Sequence, residues 1–418
     1  MTPQFNKVAI TGLGALSGLG HNLNEVWSGL TSGKSGVSSI EQRETDKLAI
    51  NIAGEVKNFT LSEDILSARE AARYDRFIHF GLHCAYEAFQ DANLFENNPY
   101  KPERMGCILG VGMGGFPNIE STYETFSTKG ARRVSPFFIP AIIPNMPPGL
   151  ISINLGLLGP NYTVSSACAS AGHALGVAAT DIMLGRQDMI ITGGTESVLS
   201  CLPISGFANM KALSKRLDTP ELASRPFDKD RDGFVIGEGA GILVLENLEK
   251  AKARGATIYA EVAGIGASSD AHHITAPEPA GLGATRCMEE ALKSANISPE
   301  EIDYVNAHGT STPLGDLAET QAIKNVFKDH AYKLNVSSSK SMTGHLLGAA
   351  AGVESVFCVK ALHEGVIPPT INLNTPGEGC DLNYTANTSV NRDIQYALNN
   401  SFGFGGTNSC TVFKKYSS

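Results

Sequence analysis

Cys168 stands in Tyr162-Thr-Val-Ser-Ser-Ala-Cys-Ala-Ser-Ala-Gly-His-Ala-Leu-Gly176, where a short apolar run meets a small-residue helix expected over Ala169–Leu184. A thiol reacts as its thiolate, which the macrodipole and free N–H groups of a helix N-terminus favour. The helix is rich in Ala, Gly and Leu, so it should be buried. A buried helix aimed at a thiol presents a nucleophile; the plain alternative is a packed core cysteine.

A second stretch favours the chemical reading. Val164–Ala179 recurs without a gap as Val336–Ala351, at an offset of 172, with nine of sixteen positions identical. Two strand-then-helix units of one design therefore occupy the two halves of the chain. In the second copy Lys340 takes the place of Cys168, and His345 is expected to begin the helix. A third segment, Ile302-Asp-Tyr-Val-Asn-Ala-His-Gly-Thr-Ser-Thr-Pro-Leu-Gly-Asp316, reads as a strand ending at His308 and a polar loop. Loops at the carboxyl ends of strands are where α/β proteins hold ligands. The last segment, Asn400-Ser-Phe-Gly-Phe-Gly-Gly-Thr-Asn408, is a glycine-rich turn able to bring backbone N–H groups against a substrate.

Together these four blocks, in this order and spacing, resemble the active-site blocks of the elongating β-ketoacyl-ACP synthases, most of all type II enzymes of bacterial fatty-acid synthesis. The resemblance runs from about Lys7 to about Lys415 and includes Ser135-Pro-Phe-Phe-Ile-Pro140 and Arg225–Gly241. It implies a duplicated thiolase-like α/β fold, five-layered α-β-α-β-α, with two mixed sheets around buried helices. Cys168 would be the nucleophile that holds an acyl group as a thioester. Its N–H and that of Phe404 would form the oxyanion hole, and Phe404 would also gate the site. His308 and His345 would donate to the enolate formed when malonyl-ACP loses CO₂. Lys340 would orient or tune a histidine, with Glu354 in the same network. Thr310 and Thr312 would meet phosphopantetheine, Phe402 would border the substrate, and Met113 would line the far end of the acyl pocket.

Several rivals weaken on the residues. Thiolases need a second, basic cysteine near the C-terminus, but here Phe404 stands between glycines and Cys410 lies in a later strand. The Lys340–His345 block disfavours the Cys-His-Asn pattern of the initiating synthases. A non-catalytic chain-length factor would lack the nucleophile. A stand-alone polyketide ketosynthase remains the alternative.

Composition sets the outer limits. A length of 418 residues with 42% hydrophobic residues suits two fused α/β halves, expected at 1–250 and 251–418, joined near Leu248–Thr257. No apolar run is long enough for a membrane span. The segment Met1–Lys7 leads into a strand without a basic leader. Eight scattered cysteines with no C-x-x-C pair argue against a disulfide framework or zinc site and for a reducing cytoplasm. No metal and no bound cofactor are expected, since the substrates ride on the phosphopantetheine of the carrier.

The net charge of −9 makes wholesale nucleic-acid binding a poor reading. Basic clusters around Arg73, around Arg132 and Arg133, and around Lys211 are the exceptions. They are expected to dock an acidic acyl carrier protein, the plain alternative being solvated surface charge.

Strand and helix alternate along the chain. Val8–Gly14 matches Tyr259–Gly266, and Met105–Val111 matches Ile302–Ala307; helices are expected at Arg76–Ala92, Gly281–Ala295 and Leu317–Phe327. Gly115–Leu158, rich in Pro, Phe and Ile, has no counterpart in the second half. It should be an insertion that supplies pocket wall and the contacts of a homodimer. Two motifs are decoys. Gly110–Gly115 fits a dinucleotide fingerprint but lacks the later acidic residue, and Asp228–Gly233 opens like an EF-hand but has Gly239 at its twelfth position.

Overall fold

The computed structural model describes residues 5–41 and 47–417. The first four residues, on which the leader reading partly rests, lie outside them. The first half contributes strands β1 (Val8–Leu16), β2 (Met105–Gly110), β3 (Asn161–Val164), β4 (Met189–Glu196) and β5 (Gly239–Asn247). The second contributes β6 (Ala260–Ser269), β7 (Tyr304–Asn306), β8 (Asn335–Ser337), β9 (Tyr396–Gly403) and β10 (Thr407–Lys415).

Their order across the sheet is β8-β7-β9-β10-β6-β1-β5-β4-β2-β3. The halves thus mirror one another: third strand, second, fourth, fifth and first, meeting at their first strands. Parallel and antiparallel pairings also repeat from half to half. The two expected sheets are joined at this seam by the antiparallel pairs Val8↔Val262, Ala9↔Glu261 and Ile10↔Ala260, which make one ten-stranded ladder.

Helices cover the sheet in three layers. α1 (Arg76–Asp91) and α2 (Met146–Leu155) lie over the first half, α4 (Leu282–Ala295) and α5 (Pro313–Phe327) lie with the second, and α3 (Ser170–Met183) and α6 (Ala350–Glu364) run between them. Protein surrounds α6, whereas α3 is buried on one side and leaves Val177 and Thr180 exposed on the other. All residues of α6 from Ala350 to Leu362 are buried. Three core clusters match this arrangement, one in the middle layer and one under each outer pair.

The expected elements fall within a few residues of those observed, with one instructive exception. His345 does not begin a long helix. A short helix, Lys340–Thr343, ends at Gly344 (φ +70°), and α6 starts only at Ala350. Between them the His345 N–H donates to Val235 O at 2.7 Å, so the chain is drawn out to the neighbouring segment instead of coiling.

Candidate active site

Cys168 sits on the turn between β3 and α3. Ala167 before it is in the left-handed region (φ +49°), a conformation costing a non-glycine residue about 1–2 kcal/mol. The turn is closed by Ala169 and Ser170 N–H groups donating to Ser166 and Ala167 carbonyls, and Ser401 Oγ donates to Cys168 O at 2.7 Å. This turn carries the Cys168 side chain out of the strand line and into a cavity.

That sulfur lies 3.0 Å from His345 Nε2. The Leu347 N–H donates to His345 Nδ1 at 3.3 Å, which leaves the ring proton on Nε2, facing the sulfur. His308 approaches from the end of β7, its ring centroid 5.3 Å from that of His345. One ligand atom from each of Cys168, His308 and His345 falls within 4.8 Å of the others. Such a set could hold a metal, but buried Lys340 stands close by, and its ammonium would oppose a dication.

Electrostatics follow from burial. Both histidines are held well below the usual imidazole range, first by desolvation and then by the Lys340 charge, with His345 adding to the effect on His308. They are neutral donors at pH 7. Lys340 itself is 1% exposed and hydrogen-bonded to Glu354, whose carboxyl burial lifts to about 7.

The expectation of a thiolate at rest is not met. The helix α3 starts at Ser170, two residues after Cys168, and dense surroundings push the thiol up to about 12. The Lys340 charge and the N–H groups of Phe404 and Cys168 pull it down, but by less than burial raises it. Those two N–H groups are the pair expected for the oxyanion hole, and both favour negative charge at the sulfur. Gly403 makes their approach possible: a Cβ there would lie 2.9 Å from Thr407 Cγ2 and 3.0 Å from Ser166 O.

Above the sulfur opens a cavity of about 620 Å³. It gathers Cys168, His308, His345, Thr310, Thr312, Met113, Phe402, Phe404 and Lys211, while Lys340 and Glu354 stand behind its wall. Thr310 Oγ1 and Thr312 Oγ1 are 3.0 Å apart, and the Phe402 ring lies 5.7 Å from that of His308. Phe404 is 36% exposed and packs against Phe207.

The remaining basic residues gather elsewhere. Arg73 and Arg133 line a second pocket of about 290 Å³, and Arg132 is exposed on the adjacent turn. The Arg73 guanidinium lies 4.5 Å from the centre of the Phe137 ring. No residue from 115 to 158 lines the first cavity, contrary to the wall expected of that insertion; Phe137, Phe138 and Ala141 line the second.

Two buried carboxylates escaped the sequence reading. Glu319 on α5 accepts from the His308 and Gly309 N–H groups at 2.8 and 2.7 Å, so it fixes the histidine's loop. Glu196, the last residue of β4, accepts from Gly112, Met113, Gly114 and Gly348. The first signal was a helical one: Asp316, Glu319 and Thr320 share the buried face of a helix whose remaining buried residues are apolar. The second was an acid ending an otherwise apolar strand. Glu196 also explains one decoy, since the glycine-rich loop gives its N–H groups to this carboxylate and not to a phosphate.

Comparison with known proteins agrees with this geometry. Residues 5–251 match the β-ketoacyl synthase N-terminal domain, and residues 259–374 match the C-terminal domain. The chain belongs to the β-ketoacyl synthase family. It is 48% identical to 3-oxoacyl-[acyl-carrier-protein] synthase 2 of Coxiella burnetii, over 98% of both chains. To the protein of that name in Staphylococcus aureus strain COL it is 46% identical, over 99% of both. Among solved structures it matches the AntDE:AntF complex, a type II polyketide acyl-carrier protein with its ketosynthase. That match has a TM-score of 0.90 and 34% identity, covering 99% of this chain and 100% of the other.

Proposed function

We propose that the protein is an elongating β-ketoacyl-ACP synthase that extends fatty acyl chains by two carbons. The observation that carries the reading is the meeting of three side chains in one cavity: the Cys168 sulfur, His345 Nε2 at 3.0 Å from it, and His308, with one ligand atom of each within 4.8 Å of the others.

The thiol of Cys168 attacks an acyl-ACP thioester. The N–H groups of Cys168 and Phe404 take up the charge on the carbonyl oxygen, the pantetheine sulfur leaves with the thiol's proton, and the acyl group remains on Cys168. Malonyl-ACP then loses CO₂. Neutral His308 and His345 donate to its thioester oxygen, where the enolate charge develops. The enolate carbon attacks acyl-Cys168, the C–S bond breaks, and β-ketoacyl-ACP leaves as the sulfur regains a proton. Lys340 and Glu354 hold the histidines neutral and in place, Thr310 and Thr312 meet the pantetheine, and Phe402 and Phe404 border the acyl carbonyl.

The carrier is read as acidic, docking on Arg73, Arg132, Arg133 and Lys211. The enzyme is read as a homodimer of two-part chains (1–250 and 251–418). Exposed Tyr162 on edge strand β3, with exposed Val177 on α3, Leu184 just after it and Ile153 on α2, supports that. A cytoplasmic site is consistent with eight unpaired cysteines and with no described helix long and apolar enough to cross a membrane. A polyketide ketosynthase has less support, at 34% identity against 48%.

The deciding assay incubates purified protein with malonyl-ACP and a series of acyl-ACPs. Products two carbons longer than each primer are expected; release of CO₂ without elongation would overturn the reading.

A further inference from the structure

Among the described residues Glu196 has no cationic partner, and it lies behind the cavity wall formed by Gly112, Met113 and Gly348. Its carboxylate is 0% exposed and satisfied by backbone alone: Gly112 N at 2.7 Å, Met113 N at 3.2 Å, Gly114 N at 3.2 Å and Gly348 N at 3.2 Å. Three of these donors belong to the loop after β2, in the first half of the chain. The fourth belongs to the second half, three residues after His345. The contact is close: a Cβ on Gly112 or on Gly348 would come within 2.6 Å of Glu196 Oε2, and one on Gly348 within 2.2 Å of Gly112 N.

What hangs from those donors is functional. Met113 is a wall of the acyl cavity. Leu347, next to Gly348, holds a left-handed conformation (φ +49°) unusual for so bulky a residue, and its N–H fixes the His345 ring. Leu347 also lines the cavity and clusters with Met113 and Phe207. An interior cluster of four N–H groups on one carboxylate has no room for a neutral amide, because a side-chain NH₂ would face donors and leave them unpaired.

We infer that Glu196 is a positioning residue for chain-length selection, clamping the Met113 wall of the acyl cavity to the His345–Gly348 loop across the two halves. This rests on the synthase reading above. Glu196 touches no reacting atom. It acts by fixing where Met113 and Leu347 stand, and so how far an acyl chain on Cys168 can extend.

The test compares wild type, Glu196→Gln and Glu196→Asp in elongation of acyl-ACPs from the shortest to the longest accepted primer, with thermal melting alongside. Aspartate keeps the charge and retracts it by one methylene, so it should fold where glutamine does not. In whichever variant folds, the ratio of kcat/KM for the longest to the shortest primer should change by about tenfold or more, with the smaller change for aspartate if both fold. A uniform loss across all primers, or a lowered melting temperature with the profile intact, would make Glu196 merely structural and overturn the inference. Failure of wild type to elongate any primer would instead sink the underlying reading.

Discussion

At the scale of single residues the proposed chemistry divides its labour between two halves of the chain: the nucleophile would come from the first and the enolate donors from the second. That separation gives a sharp expectation. Cys168→Ala should abolish elongation, and Cys168→Gln should too, while the glutamine variant still releases CO₂ from malonyl-ACP because His308 and His345 survive. Elongation by Cys168→Ala would refute the assignment. The depressed histidines carry a second expectation. Both stay neutral well below the ordinary value of about 6.5, so decarboxylation by Cys168→Gln should hold steady as pH falls through 6.5. Unfolding below that pH takes up protons on the freed rings, so the fold itself loses stability as acidity rises. Adding Lys340→Met removes the charge that lowers both rings, and the acidic limb of the pH–rate profile should move up. A limb that starts at or above pH 6.5 in the parent, or one unmoved by Lys340→Met, would contradict this electrostatic account.

At the scale of elements the legibility of the sequence was uneven, for physical reasons. The repeat around Cys168 and Lys340 exposed the duplication because equivalent strand–helix units keep the same small residues at close contacts. Gly176 and Gly348 are equivalent positions: a Cβ would lie 3.0 Å from Ile265 Cγ2 at the first and 2.2 Å from Gly112 N at the second. The break at His345 was not legible, because it depends on a hydrogen bond to Val235, more than a hundred positions earlier. Glu196 offered only a weak signal for the same reason: its partners are backbone N–H groups of loops far along the chain, whereas Glu319 lies within eleven residues of the His308 and Gly309 N–H groups that it accepts from. The seam between β1 and β6 involves only three residue pairs and leaves no pattern of its own. Met113 was singled out through the resemblance; it lines the cavity and bears a test at this scale. The loop after β2 sets one wall of the cavity, so Met113→Phe should shorten the longest accepted acyl chain and spare short ones. A folded, active Met113→Phe enzyme with an unchanged profile would remove this loop from the acyl channel.

At the scale of the whole molecule, an acidic chain presents its basic residues in patches, and not all of them are free. Arg76, in the same sequence cluster as Arg73, is spent on an ion pair with buried Glu238 at 3.2 Å. Arg132 and Arg133 remain exposed, while Lys211 stands at the cavity mouth. Attraction between exposed charges is screened over a Debye length of about 8–10 Å, so carrier docking should weaken as salt rises. Replacing Arg132 and Arg133 with Glu should raise KM for acyl-ACP several-fold and leave small thioesters nearly unaffected. Equal losses on both would point to damage of the fold.

The other large surface feature is apolar. Ile153 is 74% exposed and Leu158 67% exposed, near an edge strand that pairs on one side only among the described residues. Edge strands of this kind are normally paired, covered or charged, and Asn161–Val164 carries no charge. A second copy meeting the first across a two-fold axis would complete the ladder and bury the apolar rim together. Light scattering at micromolar concentration should therefore give twice the chain mass, and Tyr162→Asp, which places a charge on the edge, should shift it toward one. A stable monomer of the unaltered protein would show that this face is left open.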